Sequence, residues 1–384
     1  MRRLAVAFLL VFAAAAPAAA QSLFSSAGLG LPVTPLDARA RALGGIGVGL
    51  SGYNLSLVNP AEVSGFVRRG AMAAFESADL GVDFQGQSGA SGGTRFPLAR
   101  VIYPIGERLT TSFGYGGILE QSWSVRSEGT ETVGDVTVPT IDLVQANGGL
   151  SQLRIDAAYA LAPRLSVGVA AGLYTGGLQR TSRREFPDTM DAFRDFEHVA
   201  EWSYTAPLAA VGARWDPLDI VRLAGSLTWS GTLHANAESG GVEDRSFSLP
   251  LQLAAGASVV LAPRLDATLG TRWAGWSAVA DDVAAPARNT WEVGGGLEWE
   301  GIQAGGRVFP IRLGGRWAQL PFGIAGSEAS EWSATFGLGA LLTGDEWGPL
   351  ATADAALERG GRSAGDALSE DYWRFVFSVA VFGR

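Results

Sequence analysis

FSLPLQLAAGASVVLAPRLDATLGTRWAGWSAV, residues 247–279, carries the pattern by which the rest of the chain is read. Leu251, Leu253, Ala255, Ala257, Val259 and Leu261 alternate with Gln252, Ala254, Gly256, Ser258 and Val260. The period is two, that of a strand with one apolar face, and not the 3.6 of a helix. Beyond the tight Leu261-Ala262-Pro263-Arg264 turn, Leu265, Ala267, Leu269 and Trp273 alternate with Asp266, Thr268, Gly270 and Arg272. A second amphipathic strand therefore returns beside the first as a long hairpin.

Hydrophobic residues make up 47% of the 384, yet after the first twenty no apolar run approaches the roughly 18 residues of a spanning helix. Helical stripes are almost lacking, while glycine (52) and Trp (12) are plentiful. The fold class expected is all-β: a transmembrane antiparallel β-barrel, in which each strand needs only about ten residues of alternation and small residues face a filled lumen. Arg2 and Arg3, an apolar run from Leu4 to Ala15 and Ala18-Ala19-Ala20 before Gln21 have the order of a secretory signal over residues 1–20. With the signal removed, two of the 29 basic residues are lost and the 38 acidic ones exceed the remainder by eleven. An exported, acidic chain is a poor candidate for nucleic acid. The absence of cysteine removes disulfides, thiolate metal sites and Cys nucleophiles.

Residues 21–66 lack alternation and are expected to form a compact hatch inside the barrel. They hold a short helix over Leu36 to Leu43, the glycines Gly44, Gly45, Gly47 and Gly49, and Asn59-Pro60-Ala61. The glycines do not follow a strand, as a phosphate-binding loop would require. From 67 to 384 fourteen strands alternate with long and short gaps. Gly86–Thr94, Arg126–Gly149, Ser182–Glu197 and Arg359–Ser369 read as long loops; Pro104–Arg108, Ala162–Arg164 and Asp216–Asp219 read as turns. Outer-membrane barrels sort their connections this way, with long ones outward and short ones periplasmic, and a soluble sandwich has no reason to.

The hairpin segment from Leu249, the Pro310-Ile311-Arg312-Leu313-Gly314-Gly315-Arg316-Trp317 strand with Leu320-Pro321-Phe322 after it, Asn59-Pro60-Ala61, and the ending Tyr372-Trp373-Arg374-Phe375 resemble the FadL/TodX family. The resemblance spans nearly the whole chain after the signal. It implies passive passage of long-chain fatty acids or other hydrophobic small molecules across the outer membrane. In that family ligand is caught at an outward groove, passed to a pocket in the barrel and released sideways at a strand kink. It implies outer-membrane lipid and the barrel-assembly machinery as partners, a monomer, and no cofactor. The related secretion-accessory barrels offer the alternative of a non-transporting accessory or surface-protein shuttle. The outward loops are shorter than the family's, and Gly383-Arg384 follow the last aromatic, Phe382.

Strand parity turns Arg154, Arg272 and Arg316 towards the lumen with Asp156 and Asp266. Guanidinium groups there suit a ligand carboxylate, or else pair with Asp156, Asp266 and a hatch carboxylate such as Asp37. In the 182–197 loop, Phe186, Met190, Phe193 and Phe196 stand near helical spacing and suit hydrophobic capture at the outer rim, or capping of the barrel mouth. His198 and His234, the two imidazoles, are expected near that rim without a nucleophile motif beside them. No His or carboxylate cluster has metal-ligand spacing.

Overall fold

The computed structural model describes residues 22–84, 86–133, 135–186, 194–283, 286–345 and 348–383. The signal expected over 1–20 lies outside them. Fourteen antiparallel strands form a closed ring. In chain order the first seven are β1 (Gly70–Phe84), β2 (Gln87–Ile105), β3 (Leu109–Glu120), β4 (Val136–Ala162), β5 (Leu165–Glu185), β6 (Phe196–Leu218) and β7 (Val221–Ser230). The remainder are β8 (Gln252–Ala262), β9 (Leu265–Ala274), β10 (Thr290–Ala304), β11 (Arg307–Gln319), β12 (Ser330–Asp345), β13 (Gly348–Ala364) and β14 (Leu368–Phe382). The ring closes where β14 pairs with β1, from Gly70 opposite Phe382 to Phe84 opposite Leu368. Closure removes the two free edges that an open sheet would present to lipid.

The expected hairpin is β8–β9, in register with Gly256 opposite Gly270 and closing at Ala262 opposite Leu265. Its alternation places Leu253 and Leu269 outside, 42% and 63% exposed. On β14, Trp373, Phe375 and Phe377 face out while Tyr372, Arg374 and Val376 are buried within. Outward Trp residues mark two heights on β10, at Trp291 and Trp299. Eight residues span about 26 Å along a strand. Projected on the barrel axis at the usual tilt of about 35–45° this is about 20 Å, most of the roughly 25 Å apolar band of an outer-membrane barrel with aromatic girdles at its borders. No helix among the described residues is long and apolar enough to cross a membrane, which does not bear on strands.

The connections differ from expectation at one end. Gly86–Thr94, most of Arg126–Gly149, the described flanks of Ser182–Glu197, and Arg359–Ser369 are largely strand, so the long loops are hairpins that continue above the apolar band. An additional strand, Trp123–Val133, pairs with β4, and Leu233–Ser239 pairs with β6 and with Arg245–Phe247. Their composition hides these ladders: the buried face is short and mixed, as at Leu233, Ala235 and Phe247 or at Val138 and Thr140, so no sustained apolar alternation marks a strand in sequence although the backbone pairing is intact. Phe196 opens β6, opposite Arg184, and Phe186 follows β5; neither is in a helix. Met190 and Phe193 lie outside the described residues.

Residues 22–66 run down the inside of the cylinder. Ser22 Oγ donates to Glu370 at the long-hairpin rim (2.7 Å), and Phe66 stacks on Phe382 at the short-turn rim, with ring centroids 5.6 Å apart. The helix expected over Leu36 to Leu43 is the single turn α1 (Ala38–Ala42), which is N-capped by Asp37 accepting from the Ala40 amide at 2.7 Å. The glycine series serves close approach. Gly44 (φ +89°) lies with its backbone against β10 and β11, where an added Cβ would sit 2.4 Å from the Gly295 amide nitrogen. Gly49 (φ +71°) meets Gly256 of β8 in the same way, at 2.5 Å. Both positions combine left-handed backbone with no room for a side chain.

Replacing Gly44 with Leu should therefore lower stability by about 1–3 kcal/mol, the usual range for overpacking. The readout is the temperature at which the folded barrel converts to the slow-migrating unfolded form in SDS gels. An unchanged conversion temperature would contradict this seating of the segment.

Candidate functional site

The apolar exterior turns many of the strands' charged residues inward, where most are buried against a partner. Arg39 of α1 reaches Glu298 of β10 (2.6 and 2.9 Å) and the carbonyls of Ser51 (2.9 Å) and Tyr53 (2.5 Å). Arg312 of β11 shares the Glu298 carboxylate and also binds Asp354 at 2.7 Å. On another side of the lumen, Arg41 lies 3.6 Å from Glu76 and 3.8 Å from Glu358, the two carboxylates that Arg374 also bridges at 3.1 and 2.9 Å. One turn of helix thus ties the leading segment to different stretches of wall.

The three arginines expected in the lumen are there. Arg316 bonds Glu292 (2.8 Å) and Glu331 (2.6 Å), and Arg272 bonds Glu292 at 2.5 Å. Their partners are wall carboxylates, neither Asp266 nor Asp37. Arg154 lies beside Asp156 at 2.8 Å, as expected, but off the axis of a hydrogen bond; the buried Arg154 Nη2 has no hydrogen-bond partner among the described residues. Asp156 is held instead by Arg100 (2.5 Å) and Ser112 (2.9 Å). Arg154, Arg272 and Arg316 meet at one cavity of about 150 Å³, whose lining mixes the apolar Val33, Leu57 and Trp276 with polar and charged side chains such as Gln152, Thr228 and Glu292. By the volume one water occupies, it holds about ten waters.

A second cavity, of about 320 Å³, opens where the wall is incomplete. β2 pairs with β3 only from Leu98 opposite Gly116 to Ile105 opposite Leu109. Above Leu98 the register with β1 shifts between Ala74 and Glu76, at Phe96-Pro97, and β2 follows β1 alone. Proline has no amide hydrogen for the missing ladder. The freed edge of β3 is taken by the leading segment, with Leu31 opposite Glu120, Pro32 opposite Leu119, and the Val33 amide donating to Ile118 (2.9 Å). Arg95 spans the opening from β2, to Glu76 of β1 (2.6 Å) and Glu120 of β3 (2.9 Å).

Asn59-Pro60-Ala61 seats the segment near the short-turn rim. Pro60 holds Asn59 extended (ψ 119°), so that Asn59 Oδ1 accepts from the Ala61 amide (2.9 Å) and Nδ2 donates to Ala213 of β6 (3.0 Å). His198 and His234 lie on rim strands, His198 Nε2 3.0 Å from the Gly240 carbonyl oxygen and His234 Nδ1 3.5 Å from Ser246 Oγ. No group of three His, Asp or Glu side chains among the described residues is arranged to hold a metal ion. Sequence reasoning missed Arg39, Arg41, Glu76, Glu298, Glu331 and Glu358. The strand members were findable, because each carboxylate occupies an inward parity position on a strand whose other face is apolar.

The BamG family profile matches residues 1–201, just over half of the chain. No curated protein sequence matches. The structure is similar to that of a Pseudomonas aeruginosa FadL homologue, with TM-score 0.60 at 15% identity over 93% of this chain and 99% of the other. It is also similar to the Ralstonia pickettii toluene transporter TbuX, with 0.61 at 16% over 91% and 98%, and to the P. putida toluene transporter TodX, with 0.60 at 15% over 91% and 98%. At these identities the likeness is one of fold.

Burial raises the Glu62 carboxyl of the segment, and it does the same to that of Asp37. It pushes the Asp37 carboxyl up to about 6, reinforced by Asp354 and opposed by the Ala40 amide, Arg39 and Arg312. A carboxyl whose folded pKa is raised contributes stability that is complete below its unfolded value of 3.8 and is lost as pH rises through about 6. Asp37→Asn keeps the cap and removes the titration. The variant's conversion temperature, relative to the parent's, should rise between pH 4 and 7; a pH-independent difference would show that Asp37 does not titrate in this window.

Proposed function

Since the chain belongs to the BamG family and has the fold of the hydrocarbon and FadL-type channels, we propose that it is an outer-membrane barrel through which hydrophobic small molecules pass passively, long-chain fatty acids above all. The observation that carries the reading is the lumenal cavity where Arg154, Arg272 and Arg316 face Val33, Leu57 and Trp276. A guanidinium with a free donor, in a cavity that also presents apolar side chains, fits the carboxylate and the start of the chain of a fatty acid. The opening at Phe96-Pro97 supplies a route between lumen and lipid that avoids water. Phe186, Met190, Phe193 and Phe196 complete the path as a rim surface for capture, and residues 21–66 act as its hatch.

A second reading is an accessory barrel that carries nothing and docks on the barrel-assembly machinery. The family's name favours it, as does the close seating of Gly44 and Gly49 on the wall, which leaves little free lumen beside them.

Proteoliposome uptake separates the two. Under the transport reading the protein raises oleate uptake over protein-free vesicles, and Arg154→Leu lowers oleate uptake about tenfold or more, the worth of a hydrogen bond to a charged group, while sparing toluene. Absence of protein-dependent uptake of either compound, with copurification of assembly-machinery components, leaves the accessory reading. Deleting Leu23 to Val58 should yield a barrel that inserts and conducts ions; conductance no greater than that of the intact protein would count against a hatch.

A further inference from the structure

The short-turn rim carries arginines that neither the lumen nor the wall opening uses. Arg68 and Arg69 precede β1, Arg108 ends the β2–β3 turn, Arg164 the β4–β5 turn, Arg264 the β8–β9 turn, and Arg307 begins β11. Each follows an outward apolar side chain at the edge of the lipid band: Val67, Ile105, Leu161, Leu261 and Ile302 are between 41% and 61% exposed. Five of the guanidinium-bearing residues, from Arg69 to Arg307, are themselves exposed. Arg164 is partly compensated by Asp219 at 2.6 Å, and Arg69 lies over the Tyr103 ring, 4.4 Å from its centroid. Arg108, Arg264 and Arg307 have no side-chain partner among the described residues.

Arg264 sits on left-handed backbone (φ +69°) directly after Pro263, the turn position that glycine fills best. Only one other described non-glycine residue, Ala325, has positive φ. A side chain kept at a position that disfavours any side chain points to a use for its guanidinium. Among the side chains described at this rim, the exposed acids are Glu107, Asp219 and Glu300, against five exposed arginines. The opposite rim is acidic, with Glu128, Asp135, Asp195, Glu197, Glu243 and Asp281 exposed.

We propose that this arginine collar binds the phosphates of anionic glycerophospholipids in the leaflet at the short-turn end. The apolar residue before each arginine lies among acyl chains and the guanidinium reaches the headgroup plane, where it offers paired donors to phosphate oxygens. The proposal rests on the barrel spanning a membrane and is independent of what the lumen carries.

The test titrates the detergent-solubilised full-length protein with mixed phosphatidylglycerol and phosphatidylcholine, and native mass spectrometry reads the retained lipid. The parent should retain phosphatidylglycerol preferentially. Each collar arginine lost should lower that preference by about fivefold, the worth of one cation near an anionic surface. An Arg108→Gln, Arg264→Gly, Arg307→Gln variant should thus lose most of it, whereas Arg126→Gln, Arg194→Gln, Arg245→Gln at the opposite rim should keep it. Arg264→Gly alone guards against misfolding: it relieves the turn, so its conversion temperature should hold or rise while the lipid preference falls. Equal retention of both lipids by the parent, an unchanged preference in the collar variant, loss of lipid A rather than phosphatidylglycerol, or displacement of the lipid by millimolar inorganic phosphate would each overturn the proposal.

Discussion

In hydrocarbon there is no water to satisfy a backbone amide or carbonyl, and each group left unpaired costs several kcal/mol. The pairing of β14 with β1, fifteen residues from Gly70 opposite Phe382 to Phe84 opposite Leu368, turns thirteen hairpin-linked neighbours into a ring and is the constraint on which the rest depends. Once the ring is closed, period-two alternation has a single meaning. One face belongs to lipid, and whatever is polar on those strands must live inside.

That interior is dense with charge, and burying an ion costs more than its partner usually returns. The ion pairs of Arg39, Arg312, Glu298 and Asp354, and those of Arg374, Glu358 and Glu76, are therefore better understood as fixing where the leading segment lies than as a source of net stability. Bidentate guanidinium geometry suits the task, since two parallel bonds fix direction as well as distance. Arg39 and Arg41, two residues apart on one helical turn, anchor that turn to β10 on one side and to β1 and β13 on another. At Asp37 and Glu62, by contrast, burial outweighs the neighbouring arginines.

The same closure makes the interruption at Phe96-Pro97 conspicuous. The ring leaves the upper part of β2 unpaired with β3 and covers the exposed β3 edge with Leu31 to Val33, whereas the other shortened ladder, β11–β12, ends at Ile311 opposite Leu338 beside Pro310. Arg95 bridges Glu76 and Glu120 across the opening, so charge and a two-residue strand stand where a full ladder would otherwise be. The wall is thus interrupted where Leu31 to Val33 meet it, and a cavity of about 320 Å³ lies there.

Alternation alone determined much of this protein. The strand number, the inward side of Arg154, Arg272 and Arg316, the hairpin around Pro263-Arg264 and the irregular character of residues 21–66 were legible because lipid on one face and packing on the other imprint a two-residue period that needs no partner to be read. The hairpins above the band were not legible, since their buried face is short and of mixed composition, as at Leu233 and Ala235 or at Val138 and Thr140, and a strand without sustained apolar alternation loses its imprint. Nor were the partners of the lumenal arginines: Arg316 finds Glu331 fifteen residues away, but Arg39 finds Glu298 only across 259, and nothing local distinguishes that carboxylate from Asp266. Pairing between distant inward positions depends on the stagger of the closed ring and on where the leading segment threads it, and both are properties of the assembled cylinder.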